Sequence, residues 1–270
     1  MGCDLLSADS VSFSYRDRSG VVPVLHDVTL AVPEGGLVGI LGPNGSGKTT
    51  LLKLLAGLLT PGQGRVSLRG QDLARMPRSA VACELAVVPQ ETHPAFEYSA
   101  LEMVLMGRYP HLGRFAIEGP DDLRIVRDAM AATGTSALEH RAFDTLSGGE
   151  KQRVVIAAAL AQSASILLLD EPTSSLDLAY QLDVAALTVR LNRERGVTIV
   201  LSTHDLNFAA SVCRSLVLLR DGHVIDTGPT ERVLTAPNIR AVYGVEADIA
   251  VHERAGHLTV VPIRATGAQP

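Results

Sequence analysis

Long hydrophobic runs, basic excess, clustered aromatics and paired cysteines are all missing from this chain. Each absence removes a class of function. The longest apolar stretch, Val154 to Leu169, is broken by Gln162-Ser163-Ala164-Ser165. It falls short of the roughly 20 residues a bilayer-spanning helix needs. It reads as the end of a helix followed by a buried strand, so the chain is expected to be soluble and any membrane role falls to a partner. The formal charge is −5 and aromatics make up 4% of residues. That balance, with no basic tract, argues against nucleic acid as a partner. The three cysteines, Cys3, Cys83 and Cys213, are odd in number and form no C-x-x-C pair. They fit a reducing compartment and packing roles. The eight histidines are scattered without metal-ligand spacing. Met1-Gly2-Cys3-Asp4-Leu5-Leu6 lacks the cationic and long apolar regions of a secretory signal. Gly2-Cys3 has the look of an acylation site, but Leu6 stands where Ser or Thr is needed, so lipidation is not expected.

What is present begins with Gly42-Pro43-Asn44-Gly45-Ser46-Gly47-Lys48-Thr49, a G-x-x-x-x-G-K-T loop. The strand-like run Leu37 to Leu41 precedes it, and an apolar-periodic helix over Thr50 to Leu58 follows. Glycines let the backbone wrap a triphosphate where a Cβ would crowd it. Lys48 can reach the β- and γ-phosphates and Thr49 can hold Mg²⁺. The helix N-terminus at Thr50 adds favourable partial charge. The expected ligands are therefore a nucleoside triphosphate and Mg²⁺.

The rest of the chain, 270 residues with 46% hydrophobic content, divides by pattern. Val11, Phe13 and Tyr15 alternate with serines, and Val28, Leu30 and Val32 with polar or small residues, so the first segment reads as β-structure. Arg65 to Leu68 and Leu85 to Val88 read as further strands. From Glu91 to Ala161 the β pattern fades. Two S-x-x-E boxes, Ser99 to Glu102 and Ser147 to Glu150, open helices, and a third helix runs from Asp121 to Ala132. The alternation of strands and helices resumes with the continuous apolar run Ile166 to Leu169, as in a central parallel strand. A helix over Leu178 to Arg195, a strand over Val197 to Ser202 and a helix over Leu206 to Cys213 follow. Asp221-Gly222 marks a hairpin between Leu216 to Leu219 and His223 to Asp226. The tail from Val245 reads as a small hairpin around Glu253 to Gly256.

Several residues at strand ends carry chemistry suited to a triphosphate. Asp170 closes an apolar strand, a setting expected to bring its carboxylate to the sheet edge beside the phosphate loop, where it can hold Mg²⁺. Glu171 can orient or deprotonate the attacking water. His204 can hydrogen-bond the γ-phosphate or that water, or serve structurally. Gln90 can sense Mg²⁺ and the γ-phosphate, or be an ordinary loop residue. Tyr15 can stack on adenine or pack on the sheet. Ser147 with the amides of Gly148 and Gly149 forms a second phosphate site at a helix N-terminus.

Taken together, the phosphate loop, Gln90, Leu146-Ser147-Gly148-Gly149-Glu150, the block from Ile166 to Asp177 and His204 resemble the ATP-binding subunits of ABC transporters, in the family's order and spacing. The resemblance covers nearly the whole chain. It implies an α/β fold of the P-loop NTPase, ABC ATPase type: a RecA-like core with an antiparallel β subdomain and an inserted helical subdomain. The implied domain spans 1–245, with core 1–90 and 162–245 and helical subdomain 91–161, followed by a hairpin and tail over 246–270. It also implies an ATP-sandwich dimer, in which Ser147 closes on ATP held by a second copy of the chain and Asp177 lies at the seam.

Val104 to Leu112, with its Met-Gly-Arg-Tyr-Pro-His core, is similar to the importers of iron–siderophore complexes, haem and cobalamin, as is Val242-Tyr243-Gly244-Val245. For this subgroup the expected partners are integral-membrane permease subunits and, through them, a periplasmic or lipid-anchored substrate-binding protein. The expected location is the cytoplasmic face of the cell membrane. An ABC exporter ATPase or a non-transport ABC ATPase are the alternatives. Contacts at Gln90 are expected to rotate the helical subdomain, and Arg108 and Tyr109 to lie on the surface that meets the permease.

Overall fold

The computed structural model describes residues 4–17, 20–113, 116–174 and 176–266. The Gly2-Cys3 pair, Ser175 and the last four residues lie outside them. The chain forms two compact units, one built from the residues up to Met76 and from Thr198 onward, the other from Pro77–Val197.

The first unit begins with two long strands, β1 (Asp4–Asp17) and β2 (Gly20–Pro33), paired antiparallel. Their pairing sets buried residues opposite one another, Leu6 against Val32, Ala8 against Leu30 and Val11 against Val28. A register shift between Ala8 and Val11 marks an irregularity in that pairing. After β3 (Leu37–Leu41), buried along its whole length, comes α1 (Lys48–Leu55). This helix starts two residues earlier than its periodicity suggests and stops three earlier. The chain reverses through Ala56 and Gly57, whose N–H donates to Leu54 O at 3.0 Å. β4 (Gln63–Leu68) and β5 (Gln71–Asp72) complete a four-stranded sheet in the order β2-β1-β4-β5.

The second unit contains α2 (Arg78–Glu84), β6 (Leu85–Val88), α3 (Ala100–Leu105), α4 (Pro120–Ala132), α5 (Gly148–Ala161), β7 (Ile166–Asp170) and α6 (Leu178–Arg195). β6 and β7 pair in parallel, Leu85 opposite Ile166. The helices α3, α4 and α5 share a core of Met103, Val104, Val126, Met130, Phe143 and Val154. Both S-x-x-E boxes form: Ser99 N–H donates to Glu102 Oε2 at 2.7 Å, and Ser147 N–H to Glu150 Oε2 at 2.8 Å.

The Met106–His111 segment is a 3-10 turn following α3. Its Arg108 is not on a surface. The residue is 7% exposed, and its side chain donates to Asp122 Oδ1 at 2.9 Å, Ala161 O at 2.7 Å and Ser163 Oγ at 3.2 Å. A guanidinium with five fixed donors ties α4 to the end of α5, which corrects its expected place on a docking surface. Tyr109 beside it is exposed.

Returning to the first unit, β8 (Thr198–Thr203) runs parallel to β3, with Leu41 opposite Thr203. β9 (Ser215–Arg220) flanks β3 on its other side, also parallel, and β10 (His223–Pro229) pairs antiparallel with β9. α7 (Leu206–Val212), α8 (Thr230–Val233) and α9 (Ala236–Tyr243) intervene before the terminal hairpin, β11 (Val245–Val251) and β12 (Leu258–Ala265). Among the described residues, no helix is long and apolar enough to cross a membrane.

Candidate functional site

In the first unit, the phosphate loop leaves the C-terminal end of β3 and enters α1 at Gly47, the N-cap residue, whose φ of 103° is open to glycine at little cost. A Cβ there would meet Leu25 Cδ2 at 2.7 Å. Lys48 is buried, and its ammonium folds over the loop, donating to Gly42 O at 3.0 Å and Pro43 O at 3.2 Å. Ser46 Oγ is buried with no hydrogen-bond partner among the described residues. A buried hydroxyl without a partner, in the same loop as a buried ammonium, fits an anionic ligand. Asn44 and Gly45 are exposed at the loop's rim, Thr49 is half-buried, and Thr50 is buried.

Two further residues reach this loop from the same unit. Tyr15 places its hydroxyl 3.4 Å from Thr50 Oγ1, and its ring meets Phe13 edge-on at 4.9 Å. At 39% exposure it keeps part of its ring open to solvent. His204 is exposed and directly follows Thr203, the register partner of Leu41, so it stands beside the start of the phosphate loop. A third contact was not foreseen. The turn between β9 and β10 lies against the loop, with Gly222 N–H donating to Ser46 O at 3.2 Å and His26 N–H donating to Gly222 O at 2.9 Å. The Asp221-Gly222 dipeptide signals a hairpin in the sequence; nothing local says what the hairpin touches.

In the second unit, Asp170 ends β7 and is buried, while Glu171 follows at a φ of 45°. That left-handed geometry is uncommon for glutamate and costs on the order of 1–3 kcal/mol. Ser174 answers it, its N–H and Oγ donating to Glu171 O at 3.1 and 2.9 Å. Gln90 is exposed just beyond β6. Ser147 and Gly148 are exposed at the start of α5. The Ser147 N–H holds the Glu150 carboxyl below the usual carboxylate range, with its side chain and two arginines assisting. Asp177 caps α6 by accepting from Tyr180 N–H at 3.0 Å. The structure brings Asp177's helix and the Ser147 helix together: a Cβ on Gly149 would meet the Tyr180 ring at 2.3 Å. That packing requires glycine at 149 on grounds separate from any ligand.

Among the described residues, no three His, Cys, Asp or Glu side chains cluster as metal ligands. Mg²⁺ needs no such cage, since it keeps water and phosphate oxygens as most of its ligands. The hydroxyl of Thr49 and the carboxylate of Asp170 are hard oxygen donors of the type it takes.

Comparison with known proteins agrees with this chemistry. The ABC transporter family model matches residues 25–174. The cobalamin import ATP-binding protein BtuD of Halobacterium salinarum is 40% identical over 240 residues, covering 89% of this chain and 60% of that protein. The chain thus spans under two thirds of that relative's length. The hemin import ATP-binding protein HmuV of Gloeobacter violaceus is 43% identical over 247 residues, covering 89% of each. Among solved structures, a chain of an inward-facing ABC transporter described as of the metal-chelate type superimposes with a TM-score of 0.84 at 30% identity, over 97% of this chain and 98% of that one.

Proposed function

Because this chain belongs to the ABC transporter family, we propose that it is the ATP-hydrolysing motor subunit of an importer that energises uptake of a metal chelate across the cytoplasmic membrane. Its cargo class is iron–siderophore, haem or cobalamin. The observation that carries this reading is the phosphate loop, where Lys48 is buried over the Gly42 and Pro43 carbonyls and Ser46 Oγ has no partner. The names of the two relatives, each an import ATP-binding protein, support the direction of transport.

Loop residues Gly42 to Thr50 bind the triphosphate of ATP, and Tyr15 stacks on its adenine. Lys48 exchanges its neutral carbonyl partners for anionic phosphate oxygens, so that both members of each hydrogen bond carry charge. Thr49, Asp170 and Gln90 would hold Mg²⁺, which when bound offsets charge on the phosphate oxygens. Glu171 orients or deprotonates the water, and His204 fixes the γ-phosphate or that water in line for attack. Ser147, Gly148 and Gly149 of a second copy close on the same ATP, with Asp177 at the seam.

The membrane partners are integral permease subunits, which keep this chain on the cytoplasmic face, and a substrate-binding protein acts through them. Copurification of the chain with a permease, followed by ATP hydrolysis stimulated by loaded binding protein, tests the assignment. Hydrolysis without a permease partner in any preparation would contradict it.

A further inference from the structure

Asn207 follows His204 by three positions, and the terminal hairpin grips it through both atoms of its carboxamide. Nδ2 donates to Val260 O at 3.2 Å, and Val260 N–H donates to Oδ1 at 2.8 Å. Val260 is 3% exposed, on the face of β12 that packs on α7. A carboxamide satisfied at both ends has one orientation, and only an Asn or a residue of the same reach supplies it.

The short link back to His204 is equally fixed. Asp205 N–H donates to Thr203 Oγ1 at 3.1 Å, while the Asp205 carboxylate accepts from Asn207 N–H at 2.9 Å and Phe208 N–H at 3.0 Å. The first turn of α7 is therefore held on one side by β8 and on the other by β12. Tyr243, the last residue of α9, lies within electrostatic reach of Asp205. The Tyr243 hydroxyl is buried with no hydrogen-bond partner among the described residues, and the phenol's pKa is raised by burial and then by the Asp205 carboxylate.

We propose that Asn207 is a positioning residue for ATP hydrolysis, through which the hairpin β11–β12 sets the placement of His204. The hairpin is then part of the hydrolytic apparatus and not an appendage. This rests on the role given above to His204. Reacting groups must be placed to a fraction of an ångström, and a misplacement of about 1 Å can cost on the order of 100-fold in rate. Asn207 touches none of the loop residues that bind ATP in the ground state, so its loss should fall on turnover and spare affinity.

The test is a double-mutant cycle on the full chain, reading steady-state ATP hydrolysis for wild type, Asn207→Ala, His204→Ala and the pair. Asn207→Ala is expected to lower kcat by about 10- to 100-fold with KM for ATP changed by less than about twofold. In the His204→Ala background it should cause no further fall. The His204 imidazole NMR signals should also shift in Asn207→Ala. Wild-type kcat in Asn207→Ala, an equal additional loss in the His204→Ala background, or unmoved His204 signals would each overturn the proposal. Normal turnover in His204→Ala alone would instead remove the role of His204. Should Asn207→Ala fail to fold, Asn207→Asp, which keeps the acceptor for Val260 N–H, is read in the same cycle.

Discussion

Gly222 donates its N–H to the Ser46 carbonyl across 3.2 Å, tying the β9–β10 turn to the phosphate loop. Gly222 sits at a φ of 77°, and a Cβ there would meet Val24 O at 2.3 Å. Both the conformation and the space exclude a side chain. Gly222→Ala is expected to cost about 1–3 kcal/mol of stability and to weaken ATP binding, because the loop loses its brace. Thermal unfolding and a nucleotide titration read the two effects. Gly256→Ala is the control: φ is 72°, but nothing lies within 4 Å of the added Cβ. It should leave ATP affinity unchanged. Unaltered affinity in Gly222→Ala would show that the brace is dispensable.

Lys48→Ala should weaken ATP binding by about 10- to 100-fold, the range expected for one hydrogen bond to a charged group. The loop itself should persist, since its turns are set by backbone geometry. Equilibrium titration with a fluorescent ATP analogue measures this directly. Wild-type affinity would mean that Lys48 keeps its contacts with Gly42 and Pro43 when ATP is bound.

Arg108 and Tyr109 adjoin in sequence and should separate in function. Arg108→Ala removes the guanidinium that joins Asp122, Ala161 and Ser163 and should lower the thermal midpoint of the chain. Tyr109→Ala, at 58% exposure, should leave that midpoint unchanged, and any effect should fall on permease binding. The Asp122 carboxyl is held below its ordinary range, by the Gly119 N–H first and then by Arg108. A depressed folded-state pKa means its share of stability is present at neutral pH. That share is lost as pH falls through the carboxylate range toward the folded value. Arg108→Ala should flatten this acid limb in a pH series of melting curves, and an unchanged limb would contradict the pairing.

Tyr243→Phe should be neutral or stabilising by up to about 1 kcal/mol, because it removes a buried hydroxyl with no partner among the described residues. Chemical denaturation of the two proteins settles the sign. A loss above that size would reveal a hydrogen bond made by the hydroxyl.

The local structure around the candidate site is readable from the residues because it sits in contiguous motifs whose backbone geometry is local. The phosphate loop, both capping boxes and the Asp221-Gly222 turn each carry their own signal within a few positions. So does the buried strand ending at Asp170, whose unbroken apolar run allows little else. What was not readable depends on contacts distant in sequence. Arg108 looks like a surface cation until Asp122 and Ala161 are seen around it. Nothing near Gly222 announces Ser46, and nothing near Asn207 announces Val260. α1 ends before its sequence pattern does, because apolar periodicity continues through Leu58 while the backbone has already turned at Ala56 and Gly57.

ATP-dependent uptake by proteoliposomes that hold this chain with its permease is the most direct measurement, using labelled ferric siderophore, haem and cobalamin in turn. Wild type should accumulate one of these cargoes with ATP supplied on the side bearing this chain. Glu171→Gln should retain ATP binding, lose hydrolysis by about 10²- to 10⁴-fold and lose uptake with it. Uptake of equal rate in wild type and Glu171→Gln, or ATP turnover with no movement of any of the three cargoes, would contradict a chelate-import motor driven from this site.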